Sequence, residues 1–126
     1  MSDQYQGIVP YLFYDDAEAA MAWYTRVFGF EEIGRWSDDS GKIQNAEMRV
    51  GTTELWLDGG GKRHFDEHGN HGPVWIGVWV DDVDEMYRRV REAGVDAEEP
   101  VTRDFGVRML TVEDPEGYQW GFMRRV

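Results

Sequence analysis

The sequence predicts an α+β fold in which two copies of a β-α-β-β-β unit supply a curved mixed sheet, with the helices on its outer face. The first observation is an internal repeat. Residues 7–30 and 73–95 each contain an apolar run, an Asp-Asp pair, a helical pattern and a glycine. The second observation is that aliphatic residues alternate with Trp or Gly along residues 74–80, as in a strand with two different faces. One face is therefore expected to pack against helices, and the other is expected to stay open.

The repeat divides one predicted domain into two modules. The Asp-Asp pairs of the two copies lie 66 residues apart, which sets the length of the repeat. The domain is expected to cover residues 1–126, with a first module at about residues 7–58, a connector at 59–72 and a second module at about residues 73–126.

Local signals place one helix in each module and bound it at both ends. Asp16 and Asp82 are predicted N-caps, because a carboxylate accepts hydrogen bonds from the free amides of the first turn. Gly29 and Gly94 suit the position after a helix, where the backbone takes a positive φ. The segment Asp114–Gly117 predicts a type I turn. The strands predicted after the helices are Glu31–Trp36, Gln44–Val50, Glu54–Asp58, Asp96–Val101, Val107–Glu113 and Tyr118–Arg124.

Composition and charge exclude several classes of function. A net charge of −12 argues against binding to duplex nucleic acid or to an anionic membrane, because both attract basic surfaces. The sequence has no cysteine, which excludes disulfides, thiolate zinc sites and cysteine nucleophiles. No apolar run approaches the roughly 18 residues of a membrane span, and the N-terminus is polar, so we expect a cytoplasmic protein without a signal peptide.

Three segments carry a resemblance to a known family. They are AWYTRVFGF at residues 22–30, VWVDDVD at Val78–Asp84 and DPEGYQWGF at Asp114–Phe122. Together with the doubled unit, these segments resemble the vicinal oxygen chelate superfamily, which includes glyoxalase I, bleomycin-resistance proteins and extradiol dioxygenases. The resemblance spans nearly the whole chain and implies the paired-module fold. It leaves the activity open, because this superfamily supports many chemistries.

The resemblance also implies where a metal would bind, at four positions on four strands that line the family's cavity. Carried over to this sequence, those positions fall at Val9, Glu54, Trp75 and Gly121. Only Glu54 has a metal-binding side chain, and stable transition-metal sites need about three or more protein ligands. We therefore expect no metal or other cofactor, which disfavours glyoxalase and dioxygenase activity.

Alternation along the strands predicts which side chains line the open face. The aliphatic side chains of residues 74–80 are expected to pack on the helices, and Trp120 and Phe122 are expected to be buried. Gly77 and Gly121 are expected to leave space for a ligand. The predicted ligand-binding residues, rich in aromatic rings, are Val9, Tyr11, Phe13, Glu54, Trp56, Trp75, Gly77, Trp79, Gln119, Gly121 and Met123, with Asp58 beside them.

This set of side chains suits a flat, partly apolar ligand, because large rings stack on planar groups. Glu54 and Asp58 could pair with a cationic group on such a ligand, and the acidic net charge would steer a cation inward. The alternative is that the tryptophans at 56, 75 and 79 pack in the core or at a dimer interface. The sequence leaves this alternative open.

Three histidines in the connector, His64, His68 and His71, raise the question of a metal site. Their spacing would bring them together only on a helix, and the glycines of the connector disfavour a helix. We expect a flexible polar connector there.

These features favour metal-independent binding and sequestration of a small aromatic antibiotic, with a cationic antibiotic as one option. The resemblance to the bleomycin-resistance branch implies antibiotic resistance through capture in clefts of a homodimer. The alternative is an enzyme of the same fold, a lyase, isomerase or dioxygenase. It would use Glu54 or Glu47 as a general base. A third interpretation is a dimer without ligand, whose tryptophans form the interface.

Overall fold

The computed structural model describes residue 4, residues 6–60 and residues 74–126. The first module contains β1 (Tyr11–Phe13), α1 (Ala17–Trp23), β2 (Glu31–Ser37), β3 (Ile43–Val50) and β4 (Thr53–Asp58). The second module contains β5 (Trp75–Trp79), α2 (Val83–Glu92), β6 (Val101–Arg103), β7 (Val107–Glu113) and β8 (Gln119–Arg125). The predicted histidine connector lies largely outside the described residues, and all three of its histidines do.

The two modules repeat one sheet topology. The strand order is β1-β4-β3-β2 in the first sheet and β5-β8-β7-β6 in the second. In each sheet the first strand pairs in parallel with the last strand of its module, and the remaining pairs are antiparallel. The predicted pair of β-α-β-β-β units in an α+β fold is therefore confirmed, with two four-stranded mixed sheets.

The helix boundaries follow the predicted signals. The Asp16 carboxylate accepts a hydrogen bond from the Ala19 amide at 3.0 Å, and Asp82 accepts one from the Glu85 amide at 2.9 Å. Gly29 and Gly94 both have positive φ, at 78° and 86°. The first helix has one feature that the sequence did not indicate, because α1 continues into a π-helical turn at Tyr24–Phe28.

Aromatic side chains join the two modules into one core. Phe28 of the π-helical turn packs against Phe122 of β8 with ring centres 4.8 Å apart, and Tyr24 packs against Trp120 at 5.4 Å. Buried residues of both sheets belong to the same apolar cluster, in which Leu55, Trp120 and Phe122 are almost completely enclosed. The helices pack on this side of the sheets, so the opposite face of each sheet is left open.

A buried carboxylate, that of Asp114, fixes the contact between the modules. Its side chain is 4% exposed. Oδ2 accepts hydrogen bonds from the Tyr24 hydroxyl at 2.5 Å and from the Trp120 indole at 3.0 Å. Oδ1 accepts hydrogen bonds from the amides of Glu116 and Tyr118 within the predicted turn. The carboxylate therefore connects the helix of the first module to the last strand of the second.

Three local predictions on strand extent and packing are wrong. The strand expected at Asp96–Val101 is found at Val101–Arg103, because Pro100 offers no amide hydrogen to a ladder and Asp96 instead accepts a hydrogen bond from Arg91. Val9 precedes β1 instead of lying within it. The aliphatic side chains of residues 74–80, which the alternation predicts to be packed on the helices, are only half-buried, and Val74 is exposed.

Replacing Asp114 is expected to destabilise the fold more than replacing an exposed aspartate. Asp114→Ala leaves the Tyr24 hydroxyl and the Trp120 indole without their buried acceptor. Each such orphaned group costs about 1–3 kcal/mol, so we expect the free energy of unfolding to fall by about 3 kcal/mol in urea denaturation. Asp104→Ala is the control, because Asp104 is an exposed aspartate of the same module. An equal loss in both variants would contradict the assigned role of Asp114.

Candidate ligand-binding faces

The pleat of each sheet creates one open face per module, on the side away from the shared core. Register places alternate side chains of paired strands on the same side, so the members of each face follow from the pairing. The module-one face includes Tyr11, Phe13, Gly34, Trp36, Asn45, Glu47, Arg49, Glu54, Trp56 and Asp58. The module-two face includes Trp75, Gly77, Trp79, Val101, Met109, Thr111, Glu113, Gln119, Gly121, Met123 and Arg125.

A pocket of about 370 Å³ lies on the module-one face. The Tyr11 ring stands edge-on to the Trp56 ring at 5.9 Å, with 83° between their planes. The Tyr11 hydroxyl donates a hydrogen bond to Oδ1 of Asn45 at 2.5 Å, which holds the phenol in place. Burial, followed by the nearby Asp58 carboxylate, raises the pKa of the Tyr11 hydroxyl, so the phenol keeps its proton to a higher pH than a free tyrosine. The lining residues of this pocket are Tyr11, Trp36, Asn45, Glu47 and Trp56.

The carboxylates of the module-one face differ in what they bind. Glu54 Oε1 accepts a hydrogen bond from the Trp56 indole at 2.8 Å. Asp58 Oδ1 accepts one from the Gly60 amide at 2.7 Å. Glu47 is half-buried in the pocket and forms no hydrogen bond or ion pair with any residue that the structure describes. Glu47 is therefore the carboxylate of this face on which neither oxygen is engaged by a described residue.

Trp75 dominates the module-two face. A Cβ atom at Gly121 would overlap the Trp75 indole, and one at Gly77 would lie 2.6 Å from the Met123 methyl group and 3.2 Å from the Trp75 ring. The sequence predicted that the two glycines leave space for a ligand. This prediction is wrong, because the Trp75 ring and Met123 fill that space. The indole lies against glycine backbone and still keeps 43% of its surface exposed, so it offers a ring to a ligand.

The second exposed indole of this face, Trp79, already has a cationic neighbour. The Arg125 guanidinium lies over the Trp79 ring, 4.4 Å from the ring centre. At the opposite end of the face, the Gln119 side-chain amide donates to the Glu113 carboxylate at 2.7 Å. The module-two face is thus apolar in its middle and carries a fixed positive charge at the Trp79 end.

The predicted site residues fall into two groups on different faces, one for each module. Tyr11, Trp56 and Glu54 lie on the module-one face, and Trp75, Gly77 and Gly121 lie together on the module-two face. The sequence pattern did not indicate Trp36 and Asn45 as members of this face. The register of β2 shifts on both sides of Trp36, so simple alternation could not place it.

A larger cavity, of about 880 Å³, lies on the other side of β5. It extends between Ile76 and Val78 of β5, the Gly51–Thr52 turn and the rings of Phe28 and Phe122. Its walls are mostly apolar. This cavity explains why the aliphatic side chains of β5 are only half-buried.

The donor set does not form a metal centre within the described residues. No group of three or more His, Cys, Asp or Glu side chains in residues 6–60 and 74–126 is arranged to hold a metal ion. At the positions that the family resemblance assigned to metal ligands, Trp75 contacts Gly121, Glu54 binds the Trp56 indole and Val9 precedes its strand. These residues do not fit the family's metal.

Among the helices that the structure describes, none has the length and apolar character needed to cross a membrane.

Comparison with known protein families identifies the superfamily to which the chain belongs. The sequence profile of the Glyoxalase/Bleomycin resistance protein/Dioxygenase superfamily matches residues 5–122. The chain belongs to this superfamily, in agreement with the paired modules and their open faces.

Individual relatives extend this result. The crystal structure of TioX from Micromonospora sp. ML1 is 32% identical, with a TM-score of 0.79, and the alignment covers 96% of this chain and 99% of TioX. The uncharacterized protein Rv0887c of Mycobacterium tuberculosis is 30% identical over 118 residues, which are 88% of this chain and 69% of that protein. A bleomycin-binding protein complexed with bleomycin is 19% identical, with a TM-score of 0.75, over 97% of this chain and 100% of that one, and shares the fold.

The contact between Trp75 and Gly121 can be tested by a double-mutant cycle. Gly121→Ala should lower the free energy of unfolding by about 1–3 kcal/mol, because the new methyl group displaces the Trp75 ring. In a Trp75→Ala background the same substitution should cost much less. Gly34→Ala is the control, since its Cβ would meet the exposed Trp36 ring at 3.3 Å and needs only a small adjustment. Equal costs in both backgrounds would refute the contact.

Proposed function

We propose that this protein binds and sequesters a small, flat aromatic natural product without a metal, and that this capture confers resistance to an antibiotic. The observation that carries the proposal is the exposure of large rings on both open faces. Trp36, Trp75 and Trp79 each expose at least 43% of their surface, although tryptophan is costly to leave in water. Rings held against a rigid sheet stack on planar ligands with little loss of conformational entropy.

The relatives support this proposal. A bleomycin-binding protein in complex with bleomycin and a bleomycin resistance determinant encoded on the transposon Tn5 share the fold. The name of one refers to resistance to bleomycin, and the name of the other refers to binding of bleomycin. Since each is 19% identical, they support the class of ligand and not a particular compound.

Charge complementarity supports a cationic ligand as one form of this proposal. The chain carries a net charge of −12, and the module-one face contributes the carboxylates of Glu47, Glu54 and Asp58. An acidic protein attracts cations from a distance and raises their rate of association. Capture would take place in the cytoplasm, the compartment expected from the sequence.

We also propose that the protein acts as a homodimer. Each open face is shallow, and rings such as Trp36 and Trp79 remain more than half exposed. β1 and β5 each pair with a single strand among the described residues, so each sheet keeps a free edge. A second copy that brought two open faces together would enclose a ligand on both sides.

A second candidate is an enzyme of the same fold, and one observation favours it. Glu47 is a half-buried carboxylate in a pocket, without a partner among the described residues, as a general base would be. Glu54 is less suited to this role because its carboxylate already accepts the Trp56 indole hydrogen. Recovery of the ligand after binding separates the two candidates, since only an enzyme returns it altered.

The proposal is tested by titrating tryptophan fluorescence with bleomycin and a panel of flat aromatic antibiotics. We expect saturable quenching at about one ligand per subunit for at least one compound, with the compound recovered unchanged by mass spectrometry. The titration is repeated with Zn²⁺, Ni²⁺ or Fe²⁺, and the affinity should be independent of the metal. A metal requirement, or a chemically altered compound, would refute sequestration and support the enzyme.

The role of Trp75 separates ligand binding from a purely structural dimer. For the compound that binds, Trp75→Ala should weaken the affinity about tenfold, the scale of a lost stacking contact. Phe105→Ala is the matched control, because Phe105 is an exposed aromatic residue in a turn outside both faces. Sedimentation analysis of the same variants measures assembly. Weaker assembly of Trp75→Ala with unchanged affinity would favour the dimer without ligand.

A further inference from the structure

We propose that the pocket of the module-one face binds an organic ammonium group, with Glu47 as its counter-ion. This inference rests on the proposed function and names the chemical class of the ligand. It predicts a flat aromatic compound that carries a permanently charged or protonated nitrogen. It also assigns the recognition of this charge to one module.

The shape of the pocket suits an organic cation. Tyr11, Trp36 and Trp56 supply three aromatic rings to one pocket of about 370 Å³, which is the size range of a small-molecule site. Aromatic faces attract cations through their quadrupole, and cages of such rings recognise alkylated ammonium groups. The Tyr11 hydroxyl is held by Asn45, so this ring is already oriented before a ligand arrives.

The availability of Glu47 supplies the counter-charge. Glu54 and Asp58 each already accept a short hydrogen bond from the protein, as described above. The Glu47 carboxylate has no such partner in residues 6–60 and 74–126, and it shares the pocket with the three rings. A half-buried carboxylate beside aromatic walls gains from a weakly hydrated cation, because the cation loses little hydration on entering.

The module-two face provides the contrast that assigns the cation to module one. Its exposed indole, Trp79, is already covered by the Arg125 guanidinium, which would repel a second cation. Its other indole, Trp75, lies over the Gly121 backbone in an apolar setting. Arg49 also lies on the module-one face, beside Glu54, but it does not line the pocket. The pocket therefore suits a cation, whereas the module-two face suits a neutral ring.

The test compares two ligands of the same shape, 1-methylquinolinium and quinoline, which is uncharged at pH 8. Isothermal titration calorimetry of the wild-type protein should show about tenfold tighter binding of the cation, the scale of a desolvated cation–π contact plus an ion pair. Glu47→Gln should remove most of this preference. Glu31→Gln is the matched control. It removes the same charge from the same sheet, at the exposed start of β2 and outside the pocket, and should keep the preference.

A second variant and a second measurement keep the test decisive if Glu47→Gln folds poorly. Trp36→Leu removes one wall of the pocket without changing any charge, and it should also reduce the preference for the cation. Labelling with 5-fluorotryptophan locates the ligand by ¹⁹F NMR. The signals of Trp36 and Trp56 should shift with 1-methylquinolinium at lower concentration than the signals of Trp75 and Trp79.

The outcomes distinguish this inference from the proposed function. Equal affinity of the two compounds, or a preference that survives both Glu47→Gln and Trp36→Leu, overturns the ammonium site and leaves aromatic binding intact. Shifts of Trp75 and Trp79 alone on adding the cation overturn it as well. Absence of saturable binding by both compounds overturns the ammonium site, and the failure of the antibiotic panel as well would overturn the proposed function.

Discussion

The buried carboxylate of Asp114 is the interaction on which the rest of this structure depends. It accepts hydrogen bonds from Tyr24 in the first module and from Trp120 in the second. Glu116, from the same turn, accepts hydrogen bonds from the amides of Asp15 and Asp16. These polar contacts fix how the modules pack through their core sides, and packing in that orientation turns both open faces outward. A site on either face is therefore a consequence of how the modules are joined.

The two faces share one architecture and differ in chemistry. Each comes from alternate residues of four strands in the same order, so the repeat in the chain produces equivalent positions. The first module fills its positions with rings and carboxylates, among them Trp56 and Glu47. The second fills them with Trp75, glycines and methionines, and adds Arg125 at one end. A doubled fold can in this way present two unlike surfaces, and the proposed ligand with both a flat ring and a cationic group matches that difference.

The sequence was sufficient for features that depend on local chemistry. Asp16 and Asp82 cap helices because a carboxylate satisfies free amides, and alternation placed Trp120 and Phe122 in the core. Features that depend on tertiary contacts could not be predicted from the sequence. Alternation put Gly121 on the open face, but only coordinates show that the Trp75 ring occupies the space above it. The side chain of Trp36 lines the pocket because the register of β2 shifts on both sides of it, and no local sequence pattern encodes these shifts.

The most direct test of this account is oxidative footprinting of the tryptophans by mass spectrometry, with and without saturating 1-methylquinolinium. The account predicts that Trp36, Trp56, Trp75 and Trp79 are oxidised in the free protein, that Trp36 and Trp56 become protected by the ligand, and that buried Trp120 stays unreactive in both states. Protection that is absent from Trp36 and Trp56, or strong oxidation of Trp120 in the folded protein, would contradict the assignment of the open faces and of the core that turns them outward.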